Sequence, residues 1–91
     1  MAAIEKTFYG TSSAQKVKSK EITGTSAVEA LGTAGLLWGF SGSSTALGEI
    51  KDDTTVIALI SKNAVWFEKP VPFSTSLDIT LSAGKAVVYY E

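Results

Sequence analysis

Glu49, Asp52 and Asp53 stand close together and offer the carboxylate oxygens that a hard cation such as calcium takes. They lack the ligand count and the glycine placement of a calcium loop, so the run reads as the solvated tip of a hairpin. Glu68 and Asp78 are the residue types of a glycosidase acid and base, yet nothing in the sequence sets their separation, and exposed strand ends account for both. Lys16, Lys18 and Lys20 alternate, which puts three ammonium groups on one side of an extended segment. Such a row would meet an acidic partner surface or keep an edge strand soluble. Trp66 is out of phase with Val65 and Phe67, which frees it for a sugar or a protein partner. Trp38, by contrast, is in phase with Leu36 and Phe40 and is expected in the core.

Missing residue types narrow the chemistry further. In 91 residues there is no histidine and no cysteine, which removes the usual general base, the thiol nucleophile, the thiolate metal site and the disulfide. Arginine is absent as well, so bidentate capture of phosphate or of guanine edges is lost, and a formal net charge of -1 supplies no field for nucleic acid. Neither a P-loop nor a glycine-rich dinucleotide turn occurs. The expectation is a non-enzymatic protein with no cofactor and no nucleic-acid partner.

The elements that must carry these residues are strands. Leu77, Ile79 and Leu81 alternate with Asp78, Thr80 and Ser82, residues 82–85 supply turn chemistry, and residues 85–90 are a second β-rich run. A hairpin is therefore expected at this end of the chain. Upstream, residues 36–40 (LLWGF) predict a core strand with Leu36, Trp38 and Phe40 on one face. Further extended segments are expected over 15–23, 45–50, 54–60 and 64–67. Val56 to Ile60 is apolar without interruption, which predicts burial on both faces. Pro70 and Pro72 put the segment that follows at an edge or a sheet crossing. Ser26 and Glu29 fit a capping box, which allows one helical turn over 27–31. Ahead of all this, Gly10 to Ser13 sets off an extended N-terminal arm, residues 1–10. Its Ile4, Phe8 and Tyr9 form an apolar set suited to a neighbouring subunit.

About seven or eight short strands separated by turn signals predict an all-β fold, a single small antiparallel β-sandwich or jelly-roll-like barrel over residues 1–91. The 45% hydrophobic composition is that of a globular domain. A chain this short buries only about 60 to 65% of its unfolded surface, and without staples it leans on oligomerisation. The first residues lack the apolar stretch of a secretory signal. The most apolar window, 27–40, contains Glu29 and is cut by Gly32, Gly35 and Gly39, so no membrane partner is expected.

The order GLLWGF, a Gly/Ser turn, short apolar strands around an acidic tip, KPVPFSTSLDITLS and a final VVYYE resembles small all-β structural proteins of tailed bacteriophages that decorate or cement heads. The likeness covers residues 32–91. It implies a virion component made in the host cytoplasm and seated on the capsid surface, often as a homotrimer, holding subunits of the major capsid protein together. No fixed set of functional residues accompanies the pattern. Beside that resemblance, the residues expected at partner contacts are Ile4, Phe8, Tyr9, Lys16, Lys18, Lys20 and Trp66. Other virion roles, as a head fibre, neck or tail component, fit the same pattern. The alternative is a carbohydrate-binding β-sandwich module, which would need an exposed aromatic platform including Trp66 and would be favoured by a second exposed aromatic coplanar with it.

Overall fold

The computed structural model describes residues 16–32 and 34–91. Ile4, Phe8 and Tyr9 of the expected arm lie outside them. Among the described residues eight strands follow one another: β1 (Lys18–Ile22), β2 (Ser26–Ala27), β3 (Gly35–Gly42), β4 (Leu47–Asp52), β5 (Thr55–Ile60), β6 (Ala64–Phe73), β7 (Leu77–Ala83) and β8 (Ala86–Tyr90). They form two four-stranded antiparallel sheets, the first ordered β1-β8-β3-β6 and the second β2-β7-β4-β5. β1 pairs with β8, β2 with β7, β3 with β6 and β4 with β5. The chain is thus one long doubled ribbon, folded back at the β4–β5 turn and rolled into two sheets, which is the winding of a jelly roll. The all-β architecture read from the sequence is the one that forms.

The expected hairpin over the last strands does not form. β7 pairs with β2 and β4 and belongs to the second sheet, whereas β8 pairs with β1 and β3 in the first. The turn between them, with Gly84 at φ 73°, is an arch that carries the chain across the sandwich. The driving force is visible in the burial. Leu77 and Ile79 of β7 and Ala86, Val88 and Tyr90 of β8 all point into the core, where an arch sets the two apolar rows face to face. Around them the core is completed by Ile22, Leu37, Phe40 and Phe73 of the first sheet and by Ile50 and Ile60 of the second.

Two irregularities decide which side chains leave that core. Between Leu37 and Gly39, β3 advances by one residue more than β8, and its partner on β6 jumps from Val71 to Trp66. Trp38 is the extra residue of this bulge, so Leu37 and Phe40 point inward and Trp38 outward, against the simple alternation that predicts a core tryptophan. On β5, Ala58 lies opposite Ile50 and Val56 opposite Lys51, which makes Ile57 the bulged residue. Val56 and Leu59 consequently share the outer face, 43% and 66% exposed. The segment expected to be buried on both faces is an edge strand with one wet side. No helical turn occupies 27–31 either. Ser26 and Ala27 pair with Ile79 and Asp78, and the Val28 amide donates to the Leu77 carbonyl at 2.8 Å, so sheet pairing overrides the capping signal.

Candidate functional site

Three aromatic side chains meet on the outer face of the first sheet. Tyr89 of β8, Gly39 of β3 and Trp66 of β6 lie in one row across the sheet, and the missing side chain at Gly39 lets the flanking rings approach over it. The Trp66 and Tyr89 ring centroids are 5.9 Å apart, tilted by 54°. Trp38, turned out by the bulge, stacks on Trp66 with centroids 5.6 Å apart and 24° between planes. Its indole Nε1 donates to Glu91 Oε1 at 3.0 Å. Glu91 is itself tied to Leu36 by reciprocal backbone hydrogen bonds of 2.8 Å. Trp66 remains 56% exposed despite these contacts. Beside it Phe40, Ser41, Ala64 and Val65 complete an open depression of about 280 Å³.

The outer face of the second sheet mixes exposed apolar side chains with polar and charged ones. Leu47 is 59% exposed and flanks a depression of about 330 Å³ with Gly48, Glu49, Leu59, Thr80 and Ser82. Val56 continues the apolar row along β5, while Lys51 pairs with Glu49 at 3.5 Å between the rows.

The carboxylates serve the fold. Asp52 accepts hydrogen bonds from the Ser74 amide (3.0 Å), the Ser74 hydroxyl (3.2 Å), the Thr75 amide (2.9 Å) and the Ser76 amide (3.3 Å). It is neither a solvated tip residue nor a free cation ligand, because it holds the β6–β7 connection in place. Asp53 next to it forms the turn, at φ 58°. Among the described residues no group of three or more His, Cys, Asp or Glu could hold a metal ion. Glu68 and Asp78 lie on different sheets, and Asp78 accepts from the Ser76 hydroxyl at 2.9 Å. The Ser74 amide, followed by that of Thr75, pulls the Asp52 carboxyl below its ordinary value of 3.8. A depressed folded value means that its contribution to stability is complete above about pH 4 and is lost as pH falls through the folded value. Asp52→Asn, which mimics the protonated form, should melt lower than the parent at pH 7, and the gap should narrow as pH falls below about 4. A gap that stays constant across a melting series from pH 7 to pH 2 would mean that the carboxylate charge is irrelevant to the loop.

Of the alternating lysines, Lys16 precedes β1 while Lys18 and Lys20 lie on it, opposite Tyr90 and Val88. They share the inward parity of Ile22, but β1 is the sheet edge, so the ammonium groups emerge at the open margin of the core. Lys18 Nζ sits 5.0 Å from the Tyr90 ring centroid and 3.1 Å from Glu29 Oε1. The Glu29 hydrogen bond raises the Lys18 value above its usual 10.5. An inward-pointing charge on an edge strand is a known guard against edge pairing. Sequence reasoning named Trp66 but missed Trp38 as its stacking partner and missed Leu47 and Leu59. Gly39 was the available signal, since a glycine inside a strand marks a bulge or a close approach of backbones.

Fold and faces together define a jelly-roll domain with two developed outer surfaces. Comparison with family models, curated protein sequences and solved structures gives no match to this chain.

Proposed function

We infer that the protein is a non-enzymatic virion structural protein, a capsid decoration or cement protein that stabilises the head shell as a homotrimer. The observation that carries this reading is the outer face of the second sheet, where Leu47, Val56 and Leu59 stand exposed beside the Glu49–Lys51 ion pair. Exposed apolar side chains grouped on one face suit an interaction surface, and a shell subunit would cover these. Burying Leu47 and Leu59 would contribute about 1.5–3 kcal/mol each before ordering costs are subtracted. Jelly rolls recur in viral capsid domains, a fold-level analogy that agrees with the resemblance seen in the sequence. The trimer contacts assigned to Ile4, Phe8 and Tyr9, and the acidic partner surface assigned to Lys16, Lys18 and Lys20, belong to the same reading.

Mass spectrometry of purified virions with copy-number counting should find the protein in a fixed ratio to the major capsid protein. A ratio of a few copies per particle would move it to a neck or tail position, and absence from the particle overturns the reading. In a reconstitution with undecorated heads, the double variant Leu47→Ser, Leu59→Ser should melt like the parent and yet leave the shell unsaturated. Unchanged saturation would remove this face from the attachment surface.

A further inference from the structure

We propose that the aromatic face of the first sheet is a binding site for a neutral carbohydrate, with Trp66 as the stacking surface. This goes beyond the assembly reading and does not depend on it, because the site lies on the opposite outer face of the sandwich.

Four observations converge. Trp66 is the one large apolar side chain on this sheet left more than half exposed among the described residues, at 56%. Its position is fixed beforehand: Trp38 stacks on it, Tyr89 tilts against it, and Trp38 is itself anchored through Nε1 to Glu91. A rigid ring loses little conformational freedom when a ligand arrives. The depression next to it, about 280 Å³, is open and near the lower end of ligand-site sizes, suited to one or two sugar rings. Its lining supplies the Ser41 and Tyr89 hydroxyls and no charged side chain. The C–H face of a pyranose carries slight positive charge and packs on the negative face of an aromatic ring, while its hydroxyls reach for such donors and acceptors. No lysine lines this depression, and the carboxylate nearest to the cluster is Glu91. The electrostatics therefore favour a neutral glycan over a sulfated or uronic one. Trp38 is stacked on Trp66 and does not lie side by side with it, which predicts a short recognition unit of one or two rings, not a long flat chain.

The test is affinity electrophoresis of the full chain in gels containing β-glucan, xyloglucan, galactomannan or, as the charged control, alginate, with tryptophan fluorescence as the second readout. At least one neutral polymer should retard the protein and change its emission, alginate should not, and Trp66→Ala should weaken retardation about tenfold or more. Ala64→Glu, a surface change at the rim that leaves the rings intact, should weaken it as well and guards against a folding defect in Trp66→Ala. Leu59→Ser on the far face should bind like the parent. Retardation by none of the neutral polymers overturns the proposal, as does retardation that survives both Trp66→Ala and Ala64→Glu. A fluorescence change that follows protein concentration without sugar overturns it in favour of a second copy on this face. None of these outcomes bears on the copy number in virions.

Discussion

Gly39→Ala should destabilise the protein by about 1–3 kcal/mol or more and separate the rings of the aromatic face. A Cβ at position 39 would overlap the Val65 carbonyl oxygen and sit 3.1 Å from Trp66 Cα, and both atoms are backbone of the neighbouring β6. No rotamer change relieves such a contact, so β6 must move away from β3. The movement would stretch the β3–β6 ladder and lift Trp66 off Trp38 and Tyr89. Chemical denaturation should show a lower midpoint, and Trp66 emission in the folded state should shift to the red. Gly24→Ala is the matched control, because nothing lies within 4 Å of a Cβ there. Equal stabilities for the two variants would mean that the close approach of β3 and β6 is wrong.

Much of this architecture was legible from local pattern. The alternation of Leu77, Ile79 and Leu81 located β7, and the two prolines, read as an edge or a sheet crossing, fall on β6, which is an edge strand. Sheet membership was not legible. A short glycine turn between two apolar strands reads the same whether they lie side by side in a hairpin or face to face in an arch, as β7 and β8 do. The choice is made by which strands elsewhere compete for their edges. Bulges were the second loss. One extra residue at Trp38 and one at Ile57 invert the phase of the rest of the strand, turning Trp38 outward and putting Val56 on the outer face beside Leu59. These two shifts are why periodicity found Trp66 but not Trp38 beside it, and why it did not place Val56 outside. The role of Asp52 was misread for a different reason: its partners are amides at 74–76, brought close only when the ribbon is rolled.

A pair of substitutions on one sheet tests that phase directly. Ile50 is 0% exposed, opposite Ala58 and Ile79 at the centre of the second sheet, and Leu59 is one position further along β5, 66% exposed. Ile50→Ala removes three carbons where the surrounding strands cannot collapse, and should cost about 2–5 kcal/mol. A chain of this size has a total stability on the order of 5–14 kcal/mol, so the variant stands close to unfolding at 37 °C. Leu59→Ser removes a comparable apolar side chain from water-facing surface and should change stability by less than about 0.5 kcal/mol in dilute protein. Urea midpoints measured at two protein concentrations separate the explanations. With similar losses for both variants at low and high concentration, Leu59 would be inside the fold and the register of β5 against β4 wrong. A loss for Leu59→Ser that grows with protein concentration would instead mean that copies of the chain already cover the β4–β5 face in solution, which would leave that face unavailable to the capsid shell.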